Sequence, residues 1–255
     1  MLLTVDIGNT SVTLGLFENN VFVNEFRLTS DIYLTIEEYE ILLKSLLKDY
    51  KIGDCIISSV VEELTQKIKS AVDNVFGFNS LILSTDINTG IKICIDKPEE
   101  TGADRIANAF GAFKKYGSPV IVVDFGTATT FDIVNSKGEF IGGMISLGIM
   151  SQLKALNRFT SKLPKIDAAI SSKAIGHNTN DAILSGVIRG TASMIDGMIE
   201  QCENELGEKA IIVATGGYSG LIANYLKRPF DYINPILTLE GLKFLYTINR
   251  IKSRI

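Results

Sequence analysis

Two short segments end an apolar run on an aspartate and follow it with glycine and threonine. Asp6-Ile7-Gly8-Asn9-Thr10 comes after Met1-Leu2-Leu3-Thr4-Val5, and Asp124-Phe125-Gly126-Thr127-Ala128-Thr129-Thr130 comes after Val120-Ile121-Val122-Val123. Each reads as a buried strand that delivers a carboxylate into a turn. A strand-terminal Asp can hold a hydrated cation while turn amides and a hydroxyl face phosphate oxygens, which is the chemistry of a metal triphosphate. One copy is weak, because Asp and Gly are ordinary turn residues. Two copies at matching places point to two related halves facing one nucleotide cleft.

A third carboxylate, Asp104, stands in Thr101-Gly102-Ala103-Asp104-Arg105 at the expected start of a helix. It fits an acid favoured by the helix dipole. It equally fits a base that takes a substrate hydroxyl proton beside an arginine that clamps a carboxylate bidentately. A third glycine turn, Thr215-Gly216-Gly217, is either a plain strand-to-helix connection or a place where adenine and ribose approach the backbone. The chain has no Gly-x-x-x-x-Gly-Lys-Ser/Thr, no Gly-x-Gly-x-x-Gly after a strand and no Gly-x-Ser-x-Gly. Its one histidine, His177, follows Gly176 in an expected loop, where a plain loop role is favoured over a catalytic one. Proton transfer therefore falls to a carboxylate.

The elements that must position these groups alternate between strand and helix, an α/β pattern. Strands are expected over 1–5, 12–17 and 21–28, with Glu18-Asn19-Asn20 as a hairpin loop. A helix over 35–47, a strand over 54–60, a helix over 62–76, a strand over 80–84 and a helix over 104–116 follow. A second three-strand set covers 120–124, 129–134 and 140–146, with Asn135-Ser136-Lys137-Gly138 as its turn. A long helix over 178–206, a strand over 210–214 and a closing helix over 237–251 complete the chain. The long helix carries Gly186, Gly190 and Gly197, each unfavourable by about 1 kcal/mol relative to alanine. Tight packing on another element is the plainer reading of these glycines, and a subunit interface the sharper one. The halves divide at 1–116 and 117–255, with no Pro- or Ser-rich linker between them.

The 255 residues are 46% hydrophobic, enough for a real core, and the formal net charge is -4. Basic residues are scattered except for Arg250, Lys252 and Arg254, so nucleic acid and anionic membranes are poor partners. No basic stretch precedes an apolar segment at the N-terminus, and no run approaches 18 uncharged apolar residues, so a cytoplasmic protein is expected. Cys55, Cys94 and Cys202 form no CxxC pair and read as small buried apolar residues.

Taken in order, these motifs resemble those of the type III pantothenate kinases, within the superfamily of actin, sugar kinases and heat-shock chaperone ATPases. The resemblance rests on the two Asp-Gly-Thr turns, on Pro98-Glu99-Glu100-Thr101-Gly102-Ala103-Asp104-Arg105-Ile106-Ala107-Asn108, on Gly142-Gly143-Met144-Ile145, on Leu163-Pro164 and on Ala214-Thr215-Gly216-Gly217. It implies two duplicated ribonuclease H-like halves, mixed β-sheets flanked by helices, around an ATP cleft. It implies phosphorylation of pantothenate to 4′-phosphopantothenate, the first step of coenzyme A biosynthesis, in a homodimer that needs Mg2+ with ATP and a monovalent cation, K+ or NH4+.

By the same resemblance, Asp6, Ile7, Gly8, Asn9, Thr10, Ser11, Val12 and Thr13 form the first phosphate loop, with Asp6 near the magnesium, and Thr127 contacts ATP from the second. Gly102, Ala103, Asp104 and Arg105 bind pantothenate, with Asp104 accepting the proton; Asp124 binds the monovalent cation, and Thr179 makes a further pantothenate contact. The chain departs from many members at Ile95, where they carry tyrosine before Asp-x-Pro. Two rival readings are another small-molecule kinase of the superfamily, which would not need Gly102 to Arg105, and a non-enzymatic regulatory relative, which would not need all three aspartates.

Overall fold

The computed structural model describes residues 1–250 and forms two compact units, residues 1–111 with 237–250, and residues 112–236. The elements in chain order are β1 (Leu2–Ile7), β2 (Ser11–Glu18), β3 (Val21–Thr29), α1 (Ile36–Leu46), β4 (Asp54–Ser59), α2 (Glu62–Phe76), β5 (Leu81–Ile82), β6 (Lys92–Ile93) and α3 (Ala103–Tyr116). They continue with β7 (Val120–Phe125), β8 (Ala128–Val134), β9 (Glu139–Leu147), α4 (Ile149–Phe159), α5 (Thr179–Leu184), α6 (Gly190–Leu206), β10 (Ile211–Gly216), α7 (Ser219–Ala223), β11 (Tyr232–Ile233) and α8 (Leu237–Arg250).

In the first unit the strand order is β3-β2-β1-β4-β5, antiparallel across β3-β2-β1 and parallel across β1-β4-β5. The second unit repeats the scheme: β7, β8 and β9 are an antiparallel meander, and β10 and then β11 add in parallel on the other side of β7. The mixed α/β fold read from the sequence is present, with two mixed sheets flanked by helices.

Local chemistry explains several boundaries. Asn19 and Asn20 take φ of 48° and 69°, the left-handed pair that a two-residue hairpin loop between β2 and β3 requires. Before α1, Thr35 and Glu38 form a capping box: the Glu38 N–H donates to Thr35 Oγ1 at 3.3 Å and the Thr35 N–H donates to Glu38 Oε2 at 2.8 Å. One face of the first sheet buries Leu3, Val5, Ile7, Leu14, Cys55 and Ile57 under α1 and α2. The opposite face carries α8, whose Leu239 packs over Gly15. Ile121, Val123, Phe125, Phe131, Ile212 and Ala214 fill the corresponding core of the second unit with α4 to α6.

The structure departs from the sequence-based expectation in several places. The closing helix belongs with the first unit, not with residues 117–236. Leu237, Leu239, Leu242 and Leu245 are buried there, Tyr246 donates to Asp54 at 2.6 Å and Arg250 donates to Asp54 at 2.9 Å. Glycine permits its close approach to α3, since a Cβ at Gly241 would lie 2.0 Å from the Ala107 carbonyl oxygen. Ile251, Lys252 and Arg254 lie outside the described residues.

Helix α4 was not anticipated, although Ile149 and Leu153 are one turn apart and buried. The long helix is interrupted by a π-type segment, Ser185–Arg189, and among the described residues nothing beyond the adjoining helix backbone lies within 4 Å of where a Cβ would stand at Gly186, Gly190 or Gly197. The tight intrachain contact expected for those glycines is absent. Among the described residues one helix, Thr179–Leu206, has the length and apolarity of a membrane span; it also carries Asp181, Arg189 and Asp196, and buries Ile183, Val187, Ile188 and Ile195 in the core. Of the three cysteines only Cys55 is buried; Cys94 and Cys202 are partly exposed.

Candidate active site

The turn between β1 and β2 brings residues 6–13 into one hairpin. Asp6 pairs with Thr13 and Ile7 with Val12, and the Gly8 N–H donates to the Ser11 carbonyl at 3.0 Å. Ser30 holds the base of the turn, donating from its N–H to the Thr10 carbonyl at 3.2 Å and from Oγ to the Gly8 carbonyl at 2.5 Å. Asn9 and Thr10 are exposed at the tip.

The turn between β7 and β8 is one residue shorter: Asp124 pairs with Thr130, and the Gly126 N–H donates to the Ala128 carbonyl at 3.0 Å. It is also more crowded. The Gly148 N–H and Ser151 Oγ–H donate to the Thr127 carbonyl at 3.1 and 2.7 Å, seating the first turn of α4 against it. A Cβ at Gly148 would lie 2.3 Å from the Gly126 carbonyl oxygen. On its other side stands the turn after β10: Gly216 takes φ of +83°, and a Cβ there would meet Asp124 Oδ1 at 2.7 Å and the Phe125 carbonyl oxygen at 2.6 Å. Asp124 and the Thr215-Gly216-Gly217 turn, separate motifs in the sequence, are therefore in contact.

Asp104 lies in the first turn of α3 and is partly buried. Its Oδ1 accepts the Arg105 N–H at 2.8 Å. Burial is the dominant influence and pushes its carboxyl above the usual range, against the lowering effects of that backbone hydrogen bond and of the Arg105 guanidinium. A carboxylate so placed is a stronger proton acceptor than an exposed one. Gly102 leaves room for it, since a Cβ there would lie 2.6 Å from Asp104 Oδ1 and 3.5 Å from Val60. Helix α3 is anchored by Asn108, whose Oδ1 accepts the Thr238 hydroxyl at 2.7 Å, and by the crossing of Gly111 on Gly241. Thr101 and Ser58, whose side chains the sequence reading did not single out, each bear a buried hydroxyl with no hydrogen-bond partner among the described residues. Nothing in the sequence separates them from other hydroxyl residues, because their burial is decided by packing.

Thr179 is exposed at the start of α5, where Asn178 caps the helix by accepting the Asp181 N–H at 2.9 Å. It lines an open groove of about 980 Å3 in the second unit, shared with Leu147, Phe159, Leu163, His177 and Ile183. His177 is exposed there, consistent with a loop residue.

Among the described residues no group of three or more His, Cys, Asp or Glu could hold a metal ion. The row Thr13, Asp6 and Ser58 offers oxygen donors only, which fits a magnesium ion that keeps its waters and rests chiefly on substrate phosphates.

The family model described as type III pantothenate kinase matches residues 2–201. The chain belongs to the type III pantothenate kinase family. A member from Dehalococcoides mccartyi (strain CBDB1) is 43% identical over 255 residues, spanning 98% of this chain and 97% of that relative. Among solved structures, a conserved Baf family protein from Campylobacter jejuni is 23% identical with a TM-score of 0.63, covering 97% of this chain and 98% of that one. A ROK family glucokinase from Streptomyces griseus, solved with glucose and AMPPNP, is 14% identical with a TM-score of 0.54, covering 97% and 99%. These two likenesses establish a fold that this pantothenate kinase family member shares with both.

Proposed function

We propose that the protein transfers the γ-phosphoryl group of ATP to the primary hydroxyl of pantothenate, giving 4′-phosphopantothenate and ADP in the first step of coenzyme A biosynthesis. The observation that carries the mechanism is Asp104, a partly buried carboxylate of raised proton affinity in the first helical turn beside Arg105. Asp104 accepts the proton of the attacking hydroxyl, and Arg105 binds the substrate carboxylate, with Gly102 and Ala103 shaping the loop. Residues Asp6 to Thr13 hold the triphosphate, with Asp6 toward magnesium, and Thr127 contacts ATP from the second turn. Bound magnesium supplies charge neutralisation on the phosphates. Asp124 takes the monovalent cation, supported by its contact with the Gly216 turn and its hydroxyl neighbours Thr130 and Thr215. Alignment supplies most of the acceleration, because phosphoryl transfer leaves the protein little covalent chemistry.

Thr179 adds a substrate contact from the groove of the second unit. The open glycines of the long helix, with Ile145 and Leu147 of β9 exposed at 66% and 58%, support a homodimer through this unit. The division into an N-terminal half with the substrate loop and a C-terminal half with the adenosine turn, and a cytoplasmic location, belong to the same reading. Pantothenate-dependent release of ADP, measured with Mg2+ in the presence and absence of K+, tests it. Release that requires pantothenate and rises with K+ is expected; no release under either condition refutes the proposal.

A further inference from the structure

Asp6 and Asp124 each face a hydroxyl residue on both neighbouring strands. Asp6 is in register with Thr13 on β2 and Ser58 on β4; Asp124 is in register with Thr130 on β8 and Thr215 on β10. Side chains alternate along a strand, and directly paired residues share a face. Leu3, Val5 and Ile7 with Cys55 and Ile57 point into the core under α1 and α2, so Asp6 and Ser58 share the opposite face. The same holds in the second unit, where Ile121, Val123, Ile212 and Ala214 are core and Asp124 and Thr215 lie on the other side. Ser58 is fully buried, and its hydroxyl has no hydrogen-bond partner among the described residues. A buried hydroxyl without a partner opposes folding, so alanine would serve packing better at this point.

We infer that Ser58 is a positioning residue for Asp6: its hydroxyl donates to the Asp6 carboxylate when that carboxylate turns toward a bound magnesium nucleotide, holding one oxygen so that the other faces the ion. The inference rests on the reading of Asp6 as the magnesium-nucleotide residue. Thr215 is its counterpart beside Asp124.

Calorimetric titration of the full chain with ADP, in Mg2+ and in EDTA, tests this in the unmodified protein, Ser58→Ala and Ser58→Thr, alongside thermal unfolding. The loss of one hydrogen bond to a charged group predicts about 10-fold weaker Mg-ADP binding by Ser58→Ala, with metal-free ADP binding and melting temperature not lowered and with rescue by Ser58→Thr. Unchanged Mg-ADP affinity in Ser58→Ala, or an equal loss with and without Mg2+, overturns the inference. If Ser58→Ala does not fold, Ser58→Cys takes its place: Mg-ADP binding as tight as in the unmodified protein overturns the inference, and a loss confined to Mg2+ supports it. An unmodified protein whose ADP affinity ignores Mg2+ overturns the reading of Asp6 as well, which separates the two failures.

Discussion

The turn after β1 and the turn after β7 carry nearly the same residues in nearly the same register, but their surroundings differ. The first is held by its own hairpin and by Ser30, and a Cβ at Gly8 would meet nothing closer than 3.4 Å. The second is one residue shorter and is pressed from both sides by Gly148 and Gly216. The more open turn suits a large mobile anion with its hydrated metal. The tighter one, with Asp124 Oδ1 against Gly216, suits a small cation fixed in place. The two turns thus differ in their neighbours more than in their own residues.

The proposed function puts proton removal outside both turns, and the largest expected effect tests this. Asp104→Asn is expected to lower turnover by about 10²- to 10⁴-fold with ATP binding nearly intact; full turnover would remove Asp104 from the base role. Because burial raises its pKa above 3.8, the unmodified protein's activity should fall on acidification over a range above that value. The same shift has a sign for stability. A raised folded-state pKa favours folding below the unfolded value and loses that contribution as pH rises through the folded value, so at neutral pH the ionised carboxylate opposes folding. Asp104→Asn should therefore melt at an equal or higher temperature.

The two aspartates of the repeat should separate next. Asp6→Asn is expected to weaken productive Mg-ATP binding by about 10- to 100-fold, and Asp124→Asn to abolish the response to K+ while the Mg2+ dependence persists. Identical ion profiles for the two variants would break the comparison. The crowding itself is tested by Gly216→Ala, expected to cost about 1–3 kcal/mol in urea unfolding because of its +83° φ and the 2.6 Å contact, against less than about 1 kcal/mol for Gly8→Ala. Equal costs would show that the second turn is no more constrained than the first.

The smallest effect concerns a clamp that occurs in each unit. Asp73 near the end of α2 accepts the Ser80 N–H at 2.8 Å, and Glu203 near the end of α6 accepts the Ala210 N–H at 3.1 Å. Burial opposes both charges, but Lys69 and Ser80 for Asp73, and Lys209 and Arg228 for Glu203, hold them below the usual carboxylate range. Depressed folded-state values give stability above the unfolded pKa, 4.5 for Glu203, that is lost as pH falls through the folded value. Glu203→Gln should lower stability at neutral pH by about 1 kcal/mol and flatten the acid limb of its pH dependence, read by unfolding at several pH values.

Much of this protein was legible along the chain. Apolar runs ending in Asp-x-Gly marked β1 and β7, the Asn19-Asn20 pair marked the hairpin, and Gly102 to Arg105 offered a candidate substrate loop, because each depends on residue chemistry within a few positions. The α/β class and the family follow from such local signals in order. Tertiary structure alone decided that α8 returns to the first unit, that Asp124 touches the Gly216 turn, that the glycines of the long helix lie open and that Ser58 is buried in register with Asp6. Those facts depend on sheet register and on which surfaces meet across long separations in sequence, and the alternation of apolar and polar residues along a segment carries no record of the partner it will pack against.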